Sequence, residues 1–374
     1  MIPLNQNLYS LKRSPIRVYS SLAKQTPGCI NLTIGEPDFD TPESIKAAAI
    51  AALADNRTHY APNQGTLELR QAIADREGVT PEQVLVTVGA SQAIFTALLG
   101  ILNPGEEVIV PVPGFVLYES IAAIAGAKIV PLDLSKSGFQ IDKAALQALI
   151  TPKTKAIILN SPNNPTGVIL NEESLAAVKE AVLGKDIFLI CDHVYGSLCE
   201  KEVPDLTKDH QLQDQRILCQ SFSKPWAMTG WRIGYLVCPE YVMERLLLLS
   251  AATIAAVPTF LQAAAVEALK TDPAPMAQSY ARRRALVCRR LEAMGLDFPK
   301  PEGAFYVFPC IKSTGLSSQE FCTQLINSKK VAIVPGDAFG ASGEGFVRVS
   351  YAYSVAHLTT ALERIREFLD ELKK

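Results

Sequence analysis

From residue 84 onward the chain repeats one alternation, in which short runs rich in Val and Ile are followed by stretches with helical spacing. The runs are VLVTV (84–88), EVIVPV (107–112), KIVPL (128–132), KAIIL (155–159), IFLIC (187–191), ILCQ (217–220) and IGYLV (233–237). Between them lie helix candidates such as SQAIFTALLGIL (91–102) and NEESLAAVKEAVLG (171–184). Parallel strands need a crossover connection, and crossover helices cover both faces of the sheet. The alternation therefore predicts an α/β fold: a mostly parallel seven-stranded sheet sandwiched by helices. In such sheets ligands bind beyond the carboxyl ends of the strands.

After about residue 275 the rhythm changes. A basic stretch, SYARRRALVCRRLEAM (279–294), leads to short strands and a final helix, HLTTALERIREFLDELKK. This predicts a smaller α+β domain over 279–374, beside a large domain over 41–278. Residues 1–40 read as an irregular, Pro-rich arm that belongs partly to the small domain or crosses a subunit boundary.

Composition narrows the function classes. Of the 374 residues 48% are apolar and 20% charged, with a net charge of -2, so the chain buries a core and is not disordered. No overall basic field favours nucleic acid or an anionic membrane, which leaves small-molecule chemistry. The eight cysteines include no C-x-x-C pair, and Cys191, Cys219 and Cys238 lie inside apolar runs. They read as reduced core residues of a cytoplasmic protein. The four histidines lack ligand spacing, so no metal site is expected. The first residues show no apolar signal core. Leu246 to Val266 carries no charge over a length that spans a bilayer. Polar residues and Pro258 interrupt it, which predicts two buried helices with Pro258 in the first turn of the second.

Five stretches carry candidate chemistry. In VLVTVGASQAIF a strand ends at Gly89-Ala90-Ser91 and a helix starts at once; exposed N–H groups there form either an anion site or an ordinary tight turn. In IFLICDHVY, Asp192 follows five apolar residues and needs a cationic partner if buried, or else caps a helix; Tyr195 enters the same crevice. NSPNNPTG offers the Asn164 amide at the same edge, or is simply a turn. In SFSKPWAMTGWRIGY, Lys224 sits among Phe222, Pro225, Trp226 and Met228 with the hydroxyls of Ser221 and Ser223 beside it. A desolvated lysine is a neutral nucleophile, whereas most lysines are solvated. Arg232, in the apolar GWRIG, wants a carboxylate or phosphate. In GFVRVSYAY, Arg348 alternates with Val347 and Val349 and points into a crevice or to the surface.

An anion nest, a buried acid, an activated lysine and two arginines fit pyridoxal 5'-phosphate. The sequence resembles the fold type I, class I/II aminotransferases along essentially its whole length. The resemblance rests on NLTIGEPDFDTP, HYAPNQGTLELR, VGASQA, NSPNNPTG, CDHVY, SFSKPWAMTGWRIGY, PEGAFY, PGDAFG and VRVSYA, in order and spacing. It implies that Lys224 holds the cofactor covalently and later shuttles a proton, and that Asp192 keeps the ring nitrogen protonated. Tyr195 and Asn164 would bond the ring oxygen, and Phe115 would stack on the ring. Gly89, Ala90, Ser91, Ser221, Ser223 and Arg232 would hold the phosphate, helped by Tyr60 of a neighbouring subunit in a homodimer with shared sites. Arg348, Gly35 and Asn164 would bind the substrate, with Arg348 gripping the α-carboxylate and Gly35 adding a backbone N–H.

Departures from the family pattern bear on substrate choice. His193 replaces a common Glu, with its side chain expected to face away. Ser91 stands where some aspartate-preferring relatives have a Lys, and no other reader of a distal carboxylate is evident. Phe115 and Tyr118 suggest an apolar approach. The expected reaction is transfer of the amino group of an L-amino acid, aromatic or neutral favoured and aspartate possible, to a 2-oxo acid such as 2-oxoglutarate. A carbon–sulfur β-lyase on the same scaffold is the alternative. A non-catalytic amino-acid-binding regulator is a third reading.

Overall fold

The computed structural model describes residues 2, 5–11 and 13–373; the other residues of the expected terminal segments lie outside the described ones. The seven predicted runs form one sheet: β2 (Val84–Thr87), β3 (Glu107–Val112), β4 (Lys128–Asp133), β5 (Thr154–Asn160), β6 (Phe188–Asp192), β7 (Arg216–Ser221) and β8 (Gly234–Val237). A short strand, β1 (Ile30–Asn31), precedes them elsewhere in the fold. The sheet order is β2-β8-β7-β6-β5-β3-β4. Strand β8 alone runs against its neighbours, β2 and β7. The inner strands β8, β7 and β6 are buried on both faces, which is why they read as continuous apolar runs rather than as alternations.

Topology places the chemistry at one edge. The carboxyl ends of β2, β5, β6 and β7 are Thr87, Asn160, Asp192 and Ser221. Because β8 is antiparallel, its first residue lies at that same edge, with Gly234 in register with both Thr87 and Ser221. A Cβ on Gly234 would approach the Gly89 carbonyl carbon to 2.8 Å and the Ala90 nitrogen to 2.9 Å. Its absence lets the next helix begin directly over the sheet edge.

Two apolar clusters flank the sheet, and a third fills a separate unit. That unit contains β9 (Tyr306–Val307), β11 (Val334–Pro335) and β12 (Val347–Ser350), with β10 (Val331–Ala332) paired to β1. The final helix (Val355–Leu372) buries Leu358, Ala361, Leu362, Ile365, Phe368 and Leu369, a stripe with helical period facing this core. The stretch expected to open the small domain at 279 lies within a continuous helix, Ala274–Ala293.

The N-terminal arm differs from the irregular segment expected. It holds a helix, α1 (Pro15–Gln25), and β1, which pairs in parallel with β10. Pro15 at the first helical position suits its fixed φ, since that residue's N–H has no intrahelical partner. The helix packs with Ala23 against Ile326 and Ala332 of the small unit. The uncharged run resolves into two helices, Glu240–Ile254 and Thr259–Lys270, with Pro258 as N-cap, one position before the predicted first turn. Among the described residues no helix is long and apolar enough to cross a membrane. All eight cysteines are free, and Cys191, Cys219 and Cys238 are buried.

Candidate active site

A cavity of about 720 Å³ opens at the carboxyl edge of the sheet, where segments of the small unit meet it. Its walls include Gly35, Ala90, Ser91, Phe115, Asn164, Asp192, Tyr195, Ser221, Ser223, Lys224, Arg232 and Arg348, which brings together twelve of the residues singled out from the sequence.

The acid sits deepest. Asp192 ends β6 and is buried; it caps no helix. Its Oδ2 accepts a 2.5 Å hydrogen bond from the Tyr118 hydroxyl, while its Oδ1 is buried without a partner. Burial pushes the carboxyl up to about 6, against the pull of the Tyr118 bond and the Val194 N–H. An orphaned carboxylate oxygen in a polar cavity calls for a donor from a ligand. Tyr118 was expected to line the substrate approach; instead it lies behind the acid and is fully buried.

Lys224 is part-buried, and its Nζ donates to the Gly35 carbonyl at 2.6 Å. Burial lowers its pKa to about 8; Glu36 opposes the shift, and Arg232 and Arg348 add to it. At about 8, roughly a tenth of the amine is neutral at pH 7, far more than for a solvated lysine, which is what a nucleophilic amine requires.

The anion cradle has three sides. The helix Gly89–Ile101 starts at β2, presenting Ala90 and Ser91. Gly89 has φ +72°, and a Cβ there would lie 2.7 Å from Arg232 Nη2, so glycine is required both for the turn and for the arginine's approach. Buried Ser221 and Ser223 form the second side, with the Ser221 hydroxyl accepting from the Ser223 N–H at 3.0 Å. Arg232, itself at φ +56°, is the third; Nη1 donates to the Thr229 carbonyl at 3.0 Å, and it has no ion-pair partner among the described residues.

Arg348 is the largest fully buried side chain, not a surface strand arginine. Nη1 donates to Asn164 Oδ1 at 2.8 Å and Nη2 to the Thr33 carbonyl, leaving Nε buried without a partner. The guanidinium lies 4.5 Å from the Tyr306 ring and 4.9 Å from the Phe339 ring. Tyr306 also exchanges a 3.0 Å hydrogen bond with the Tyr195 hydroxyl. Such a planar cation, stacked and unpaired, suits a carboxylate.

Several placements could not be read from the sequence. Tyr118 lies 74 positions from Asp192, and Tyr306 lies 111 from Tyr195, so neither pairing had a local signal. Arg17, Ser14 and Ile16 of the N-terminal arm also line the cavity. Tyr60 does not reach its own chain's cavity; it is 94% exposed. His193 lies outside the lining, 3.7 Å from Asp205.

The family model for aminotransferase class I and II matches residues 27–365. The chain belongs to that family. It is 41% identical to the aromatic-amino-acid aminotransferase 2 of Thermococcus litoralis, over 99% of each chain. It is 39% identical to the aspartate aminotransferase of Pyrococcus abyssi, again over 99% of each. The solved aspartate aminotransferase of Thermus thermophilus superposes with a TM-score of 0.92 at 36% identity, covering 98% of this chain and 100% of that one.

This aminotransferase therefore has the fold type I architecture and is a pyridoxal 5'-phosphate-dependent transaminase. The residues present fit the cofactor: an orphaned acid oxygen, a poised amine and an unpaired arginine over a helix start are the three kinds of partner it needs.

Proposed function

We propose that this aminotransferase exchanges the amino group between an L-amino acid with an aromatic or other neutral, bulky side chain and a 2-oxo acid such as 2-oxoglutarate. The observation that carries the reading is the unpaired Nε of buried Arg348, in the cavity that also holds the Lys224 amine. Together they suit a substrate with a carboxylate and a reactive Cα. The apolar wall of Ile94, Phe115 and Leu117 favours a bulky side chain.

The bound cofactor supplies an electron sink for the charge left at Cα. Lys224 would hold it covalently and, once displaced by substrate, its Nζ would take up and return the proton at the substrate's Cα. Asp192, whose buried Oδ1 has no partner, would accept from the ring nitrogen and keep it protonated. Arg232, the Ser221 and Ser223 hydroxyls and the N–H groups of Gly89, Ala90 and Ser91 bind the phosphate. Phe115, Tyr195 and Asn164 line the same cavity and would hold the ring, Phe115 by apolar contact and the Tyr195 hydroxyl and Asn164 amide as donors. Arg348 fixes the α-carboxylate with its free Nε and a reoriented Nη, and Gly35 adds its N–H. With 1–40 and 279–374 acting as a small domain against 41–278, closure on substrate excludes water.

The working unit in this reading is a cytoplasmic homodimer, with Tyr60 completing the partner's phosphate site. Its side chain, almost fully exposed in the single chain, is free to reach a partner. The decisive experiment is a half-reaction screen that follows bleaching of the bound chromophore with each amino acid in turn. Aromatic and bulky neutral substrates should react fastest; release of pyruvate and ammonia from a cysteine conjugate, without amino transfer, would make the protein a β-lyase. Co-expressed Tyr60→Ala and Lys224→Ala chains should regain activity that neither has alone, since only the hybrid dimer holds a complete site.

A further inference from the structure

In the stretch CDHVYGS, His193 and Val194 separate the acid and the phenol of the site. Asp192 and Tyr195 line the cavity, and His193 does not. The backbone turns sharply at this point. The His193 N–H donates to the Cys219 carbonyl at 3.1 Å, and the His193 carbonyl accepts from the Gly196 N–H at 3.1 Å. This turn delivers Tyr195, whose hydroxyl shares a 3.0 Å hydrogen bond with Tyr306.

The imidazole is wedged against the same turn. A Cβ on Gly196 would lie 1.8 Å from His193 Nε2 and 2.2 Å from its Cδ2, so the ring fills the space that glycine leaves open. Nε2 also lies 3.7 Å from Asp205 Oδ2, too far for a hydrogen bond but close enough for an ion pair. Asp205 is itself fixed, because its Oδ1 accepts from the Thr207 N–H at 2.7 Å and from the Thr207 hydroxyl at 2.6 Å. The helix Leu67–Glu77 braces the following residues, with Arg76 Nη2 donating to Ser197 Oγ at 3.1 Å. Of the charges facing the imidazole, Asp205 and Glu77 favour its protonation, while Arg76 and Lys208 oppose it. Arg216 of β7 faces Asp205. Burial outweighs the acids and holds the imidazole below its ordinary value of 6.5.

We propose that His193 is a positioning residue for transamination: its ring, wedged between Gly196 and Asp205, sets the turn that aims the Tyr195 hydroxyl into the cavity. The inference rests on the reading that Tyr195 donates to the cofactor ring. The neutral imidazole stays seated on Gly196. Once protonated, it is drawn by Asp205 across the 3.7 Å gap and off that seat. The turn then relaxes, and the Tyr195 hydroxyl loses its aim. The wedge thus holds in its neutral form and releases on acidification.

The test uses holoenzyme and the amino acid that reacts fastest in the half-reaction screen. His193→Ala empties the seat and should lower kcat/KM by about tenfold at pH 8, since small misplacements of a contact group are costly. His193→Gln keeps an amide near the Nε2 position but cannot titrate. It should recover most of that loss at pH 8, and it should lack a fall that the wild type shows as pH drops below 6.5. In a Tyr195→Phe background His193→Ala should cost no more than about twofold further, because the hydroxyl it aims is gone. A loss under about twofold in His193→Ala, an acid limb unchanged in His193→Gln, or the full loss again in the Tyr195→Phe background overturns the assignment of His193. The His193→Gln profile decides alone if the alanine variant does not fold. Wild-type kcat/KM and absorbance in Tyr195→Phe itself would overturn the reading of Tyr195, and this inference with it.

Discussion

Replacing Asp192 by Asn should stabilise the cofactor-free protein above neutral pH while removing most of its turnover. In the fold the carboxyl is raised from 3.8 to about 6, chiefly by burial. Its protonated form is favoured by folding, so its contribution to stability is fully present below 3.8 and is lost as pH rises through about 6. A gap of about two units, at about 1.36 kcal/mol each, makes the ionised acid cost about 3 kcal/mol by pH 8. Asn cannot ionise, yet it still offers the Tyr118 hydroxyl an acceptor. Urea unfolding of both cofactor-free proteins, at equal protomer concentration from pH 4 to 8, is the assay. The stabilities should converge near pH 4, and Asn should lead by about 3 kcal/mol at pH 8. Added pyridoxal 5'-phosphate should narrow the gap, because its ring N–H gives Oδ1 the partner it lacks. Parallel pH dependences for the two proteins would refute the reasoning.

Three other outcomes are expected. Lys224→Ala should eliminate the covalent chromophore and essentially all turnover, read by absorbance and by amino transfer; near-normal rates would remove the lysine from the mechanism. The rate of covalent cofactor loading should rise with pH and level off above about 8, where the amine becomes neutral, as a stopped-flow pH series would show. Arg348→Ala should raise KM for every amino acid, costing about 2–5 kcal/mol in kcat/KM, since each presents an α-carboxylate; a loss confined to one substrate would argue against that contact.

The sheet was legible because parallel strands buried on both faces spell themselves as unbroken Val and Ile runs. Their carboxyl ends then gave the site edge, and Asp192, Lys224, Arg232 and Arg348 drew notice as charges in apolar settings. The helix α1 is missed for another reason: Ile16, Tyr19, Leu22 and Ala23 do recur at helical spacing and pack on the small unit, but the surrounding prolines and polar residues read as an irregular arm. Its contribution to the cavity, Arg17 included, depends on a pairing of residue 30 with residue 331 that no local pattern encodes. Tyr118 was noticed, but as an aromatic wall; only packing shows its hydroxyl turned toward Asp192.

The single reversed strand has a consequence for how the enzyme is made. Strand β2 emerges early from the ribosome, yet its one ladder partner is β8, with Val84 opposite Val237. Until β8 slots in, β2 and the glycine turn after it have no seat on the sheet, and Arg232 has no place to stand over them. The phosphate cradle is therefore complete only with the last strand in place, so its geometry depends on the longest-range pairing in the sheet.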